Sequence, residues 1–199
     1  VRYNVQVLFI RLTLEKLTKK ISDTLRNLRK EKGWSLDKAS AETGVSKAML
    51  GQIERGESSP TIATLWKITS GFQTSFSSFI EESPNNEVTE YRSGIPKQLH
   101  PDDTKIRVMP IFSFDKSLNF EVFIIELLPG CKHLSPQHKG GVIEHIIVIE
   151  GEIEVLVSGK WARIKKGEGL RFNADQEHGY RNLSDKKAVF HDMIHYPKN

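Results

Sequence analysis

Cysteine is all but missing from this chain. One thiol, Cys131, among 199 residues excludes an intrachain disulfide framework and fits a reducing, cytoplasmic location. Long apolar runs are missing as well. No stretch approaches the roughly 20 residues that a membrane helix needs, so no membrane partner is expected. The apolar segment Val5 to Ile10 is followed by basic residues rather than a small-residue cleavage site, so it does not read as a signal peptide. There is no internal repeat and no low-complexity tract. A strong excess of one charge is also absent, with 29 Lys and Arg against 25 Asp and Glu. That balance hides an asymmetry: residues 1–80 carry 13 basic against 7 acidic side chains, and residues 81–199 carry 16 against 18. If either half meets a polyanion, it is the first.

What the sequence does contain changes its period partway along. From Leu17 to about Ile80 the apolar spacing is helical, and its punctuation marks five short helices. Ile21, Leu25 and Leu28 form a stripe that Gly33 ends. Ser35 is placed to cap a second helix that stops at Gly44, and Ser46 to cap a third that stops at Gly56. Pro60 and Thr61 open a fourth carrying Ile62, Leu65 and Ile68, and Phe72, Phe76 and Phe79 continue an apolar end piece.

The stretch Glu81 to Glu90 is polar and acidic and reads as a linker. Beyond it the period drops to two. Strands are expected at 105–112, 120–128, 143–150, 153–157, 161–164, 170–173 and 188–195, many of them separated by glycine turns. The chain therefore divides into an N-terminal extension at 1–14, a helical domain at 15–81, a linker and barrel lead-in at 82–104 and a β domain at 105–199. Positions 1–12 show no cap and no clear period, and no function is assigned to them. The fold class is two-domain, α then β, the second part a closed barrel or jelly roll.

The segment from Ser35 through Gly44-Val45-Ser46 to Glu54-Arg55-Gly56, with the following Ser-Pro-Thr, resembles the helix-turn-helix of the Cro/C1 repressor (XRE) family. Small Ala39 lets the second helix approach the third, Gly44 permits the tight turn, and Val45 and Ile53 lock their packing. The resemblance implies a five-helix, lambda-repressor-like domain that binds double-stranded DNA with its third helix in the major groove. Lys47, Ala48 and Gln52 would then meet base edges, with Ser46 and Met49 beside them. Gln52 suits adenine, Lys47 guanine and Ala48 a thymine methyl. The amides near Ser35 and Leu36, with the side chains of Arg55 and Ser58, would meet phosphates. Arg29 and Glu54 occupy positions that resemble the family's partly buried ion pair between the first and third helices.

A second resemblance lies in the β half. Gly130 to Gly151 contains His138 and Glu144, and Gly167 to Asn182 contains His178 and Asn182. These segments resemble the two motifs of the cupins, and His138, Glu144 and His178 match three metal-ligand positions. At the fourth the chain has Pro136, which offers no donor atom; His133 is a poorly spaced substitute. Two imidazoles and a carboxylate still suit a divalent cation, zinc foremost, or a small chelating effector. Glu144 shares its strand face with Ile146 and Val148, so an inward carboxylate there would be costly without a partner. His145 points to the other face and is read as structural, like His100, His191 and His195. Arg171 and Tyr180 are weaker candidates for an anionic effector.

The combined resemblance implies a homodimeric transcriptional regulator, not an enzyme, in which a small metabolite such as an amino acid acts through the barrel on two reading heads. Two other readings stay open. A cupin metalloenzyme, dioxygenase or isomerase, with an accessory DNA-binding domain would use the same donor set catalytically. A structural nucleoid-binding protein would need neither an occupied chamber nor sequence preference.

Overall fold

A computed structural model describes residues 5–81, 94–138 and 141–197, with the backbone alone described over 5–14. The expected linker therefore falls largely outside the described residues, as do Lys139 and Gly140 of the first cupin-like segment. The helical half contains α1 (Val5–Glu31), α2 (Leu36–Thr43), α3 (Lys47–Glu54), α4 (Ile62–Phe72) and α5 (Ser77–Ile80). Helix α1 begins well before position 15, so its backbone runs through the boundary drawn from the sequence. Among the described residues no helix is long and apolar enough to cross a membrane.

The helix limits follow from local chemistry. Ser35, Ser46 and Thr61 each accept a hydrogen bond from the backbone N–H three residues on, satisfying a donor that the first turn leaves free. Gly44 closes α2 with φ of 67°, a left-handed conformation that a side chain disfavours. Ile21, Leu25, Ala39, Leu50, Ile53, Leu65 and Ile68 are buried at the centre. Each large apolar side chain removed from water there contributes about 1.5–3 kcal/mol. Helix α4 lies tight on α2: a Cβ at Gly71 would stand 2.7 Å from Glu42 O and from Thr43 Cα.

The β half contains β1 (Ile106–Asp115), β2 (Phe120–Leu127), β3 (Lys132–Ser135), β4 (Ile143–Glu150), β5 (Glu152–Val157), β6 (Lys160–Lys165), β7 (Gly169–Asn173), β8 (His178–Arg181) and β9 (Ala188–His195). They form two antiparallel sheets, ordered β1-β2-β9-β4-β7 and β3-β8-β5-β6. This refines the expected barrel: the described strands make a jelly-roll pair of sheets rather than one ring closed by hydrogen bonds. The sequence missed β3 and β8, four residues each, whose short runs mix His, Ser, Gly and Arg with few β-branched side chains. Alternation sets the inner face, so that Phe190, Asp192 and Ile194 of β9 are buried in phase, as are Glu144, Ile146 and Val148 of β4. Asn182 anchors the turn after β8, its amide donating to Leu127 O and Lys186 O while its carbonyl accepts from Ser184.

The two halves share an apolar seam. Trp66 of α4 stacks on Phe76 at 4.3 Å, and Phe76 meets Phe123 of β2 edge to face at 5.7 Å. Beside the seam, fully buried Glu121 accepts from the backbone N–H groups of Phe76 and Ser77, at 3.0 and 2.9 Å, and from the Tyr196 hydroxyl. Asp103 accepts from the Ile62 N–H at 3.0 Å.

Candidate functional site

Two constellations emerge, one on the surface of α3 and one between the sheets. On α3, Leu50, Ile53 and Glu54 face inward while Ser46, Lys47, Ala48, Met49 and Gln52 are exposed along one end. The cap at Ser46 fixes where that end begins. Ser35 and Arg55 are exposed, and Leu36 and Ser58 are half-buried, so the residues expected at phosphates flank the same region. Lys47 is not free: its ammonium pairs with Asp37 of α2 at 2.8 Å, both side chains being more than half exposed. Such a surface pair is worth no more than about 1 kcal/mol, so a base or phosphate can displace it. Arg55 forms a similar exposed fork with Glu57 at 2.7 Å. The orientation of α3 comes from behind, where Arg29 grips the Glu54 carboxylate through Nε and Nη2 at 2.6 and 2.8 Å and donates a third bond to Trp34 O.

Between the sheets, His138, Glu144 and His178 converge, each offering a ligand atom within 4.8 Å of the others, and all three are buried. Glu144 Oε1 lies 3.0 Å from His138 Nε2 and 3.2 Å from His178 Nε2, while Oε2 accepts from the Tyr180 hydroxyl at 2.5 Å. Burial alone would raise the Glu144 carboxyl. The charge of His178 and the hydrogen bonds from His178 and His138 outweigh it and hold the group below the ordinary carboxylate range. An ionised Glu144 can only accept, so both facing nitrogens carry protons. His178 also donates from Nδ1 to Gln176 O at 2.9 Å. Burial lowers its pKa, but the Glu144 charge and these hydrogen bonds raise it more. Two imidazoles around one carboxylate, converging in a buried space, form a donor set that fits a divalent cation.

Tyr180, a weak candidate from sequence, is thus central, whereas Arg171 lies apart from the chamber. It is exposed and sits across from His145 on the outer face of the β4–β7 pair, while its neighbour Phe172 points inward beside Glu144. Pro136 contributes no donor. His133 is buried, but it does not join the converging trio, and among the described residues its Nε2 has no hydrogen-bond partner. Burial and the nearby His178 charge push its pKa down to about 4, so it is a neutral imidazole.

Two residues were overlooked. Asp192 of β9 lies beside Tyr180, and its Oδ1 also has no partner among the described residues; burial and the Glu144 charge raise its carboxyl well above the usual range. Its place between Phe190 and Ile194 in a period-two strand was the available signal. Ser70 of α4 was the other. Its hydroxyl lies 2.9 Å from His138 Nδ1, so a helix of the helical half touches the buried cluster. No sequence pattern pairs positions 68 residues apart.

Comparison with known proteins agrees with this division. The profile of the helix-turn-helix family HTH_3 matches residues 25–79, and that of the cupin domain family Cupin_2 matches residues 123–194. The HTH-type transcriptional regulator SutR of Escherichia coli strain K12 is 45% identical over 186 residues, 94% of this chain and 100% of its own. A crystal structure of an HTH_3 family transcriptional regulator from Vibrio cholerae is 43% identical. It superposes with a TM-score of 0.79, covering 93% of this chain and 99% of that one.

Proposed function

This chain belongs to the HTH-type transcriptional regulators that join a helix-turn-helix to a cupin domain, and we propose that it reads duplex DNA with the exposed end of α3 and adjusts that reading through the buried cluster between its sheets. The single observation that carries the proposal is the pairing of a solvent-exposed α3 end with a converging acid–imidazole trio in one chain. Ser46, Lys47, Ala48, Met49 and Gln52 meet base edges in this reading; Ser35, Leu36, Arg55 and Ser58 fix the register on phosphates.

His138, Glu144 and His178 hold the regulating group, a divalent cation, zinc foremost, or a small metabolite such as an amino acid bound with it. Bound there, a cation supplies open coordination positions that a chelating metabolite can fill. The chain's own part is to fix the imidazoles and to keep Tyr180 donating to Glu144. Acting as a twofold dimer, the protein would span half-sites about 34 Å apart or a multiple of that.

The test is selection of duplexes from a random pool by the full chain, followed by affinity measurement on the enriched sequence with zinc and with chelator. Enrichment of a paired half-site, with an affinity that changes on adding zinc or an amino acid, is the expected result. A chain that enriches no sequence overturns the reading head, and an affinity indifferent to every addition overturns the regulating cluster.

A further inference from the structure

We propose that Ser70, on a helix of the DNA-reading half, is a positioning residue of the buried cluster, so that filling the cluster and seating α4 are one linked event. The inference rests on the reading of His138, Glu144 and His178 as a cation centre. The two imidazoles are held in different ways. His178, the first residue of β8, has its outer nitrogen fixed by Gln176 O in the bend just before that strand. His138 has its outer nitrogen facing Ser70 Oγ at 2.9 Å, across the seam between the halves. Trp66, one helical turn before Ser70, lies against the same imidazole with ring centroids 5.2 Å apart. One face of α4 therefore holds both the rim and the plane of a ligand residue.

The hydroxyl is suited to the exchange that binding demands. With Glu144 Oε1 3.0 Å from Nε2, the tautomer of a neutral imidazole that suits the cluster carries its proton on Nε2 and accepts at Nδ1 from the Ser70 O–H. A cation needs the lone pair of Nε2, so the neutral imidazole must then carry its proton on Nδ1 and donate it to Ser70 Oγ. A serine hydroxyl serves both states by rotating, since it both donates and accepts. The hydrogen bond persists while its direction reverses. Ser70 also cannot shift alone: Gly71, the next residue, is pressed against the backbone of Glu42 and Thr43 at the end of α2. That turn leads through Gly44 to Ser46, where the reading helix starts.

The experiment titrates the full chain with zinc in competition with a chelating dye and, in the same samples, assigns the His138 tautomer from long-range proton–nitrogen correlation spectra. Ser70→Ala is expected to bind zinc about 10- to 100-fold more weakly, the usual loss for a group behind a ligand histidine. Ser70→Thr, which keeps the hydroxyl, is expected to restore most of the affinity. In the wild type the His138 proton is expected on Nε2 without zinc and on Nδ1 with it. Equal zinc affinity in wild type and Ser70→Ala overturns the proposal, as does a zinc-bound wild type with the proton still on Nε2; the second readout needs no variant. A wild type that binds no zinc overturns the cation centre itself and this inference with it, an outcome distinct from the other two.

Discussion

Arg29 and Glu54 form a two-point fork between α1 and α3, with a third bond tying the same guanidinium to Trp34 O. Glu54 is buried, so removing Arg29 strands a carboxylate, and removing Glu54 leaves a half-buried guanidinium with only its bond to Trp34 O. Glu54→Ala should cost on the order of 3 kcal/mol in urea denaturation of the full chain. It should also weaken DNA binding while leaving sequence preference intact, because α3 loses its brace and none of the side chains proposed to read bases. A loss under about 0.5 kcal/mol, the range of ordinary surface changes, would contradict this.

Residues proposed to read bases and residues proposed to hold phosphates should fail differently. Gln52→Ala is expected to relax preference at one position by ~1–3 kcal/mol. Arg55→Ala should instead weaken all duplexes alike and lower the slope of log affinity against log salt by about 1. Affinity measured on an enriched site and on single-base variants over a range of salt separates the two. A Gln52→Ala protein with unchanged preference would remove Gln52 from the reading face.

Stability should fall in mild acid because of His133. Burial pushes this imidazole down to about 4, whereas in the unfolded chain it titrates near 6.5. Between those values the unfolded state binds the proton and the native state does not, so stability is lost as pH drops through the window. The full effect is about 3 kcal/mol. Denaturation midpoints between pH 7 and 4, with chelator present, should decline more steeply for the wild type than for His133→Phe. Parallel slopes would show that another group sets the acid limit.

Cys131 should be inert in the folded chain. Burial pushes its thiol up to about 11, leaving almost no thiolate near neutral pH. Iodoacetamide should modify it only after denaturant is added, as counted by mass spectrometry. On the alkaline side the sign is set by the same burial. The unfolded thiol ionises first, so Cys131 draws the chain toward unfolding from about pH 8.5 to about 11. Rapid native alkylation would contradict both statements.

Gly71→Ala should be costly although alanine favours helices. The added carbon would meet Glu42 O and Thr43 Cα at 2.7 Å, and both are backbone atoms that cannot rotate away. Overpacking of this kind costs typically 1–3 kcal/mol. The thermal midpoint of this variant should drop clearly, while Gly159→Ala serves as a comparison for strain at positive φ without any close neighbour. A Gly71→Ala chain as stable as the wild type would mean that α4 can stand off from α2.

Legibility followed the range of the interactions. Ser35, Gly44 and Ser46 declare helix limits through bonds to residues three or four positions away, so the bounds of α2 and α3 were visible in the chain alone. Glu144 was visible because a carboxylate in phase with Ile146 and Val148 breaks a period-two pattern. Asp192, in phase with Phe190 and Ile194, carried the same signal. Arg171 was misleading, since its neighbour Phe172 takes the inward position. The short strands β3 and β8 depend on pairing with each other, His133 opposite Tyr180 and Ser135 opposite His178, and partnership at that distance leaves no mark in either segment. Ser70 and Glu121 likewise take their importance from the opposite half of the molecule.

The aromatic seam of Trp66, Phe76 and Phe123, with Glu121 receiving two amides across it, bears on how freely such proteins can be recombined. Neither half presents a finished exterior where they touch. Grafting this β half onto a foreign helix-turn-helix domain would leave Phe123 facing an unmatched surface and Glu121 short of two donors. Exchange of parts between regulators of this build is therefore limited by a handful of joint residues rather than by the linker that connects them.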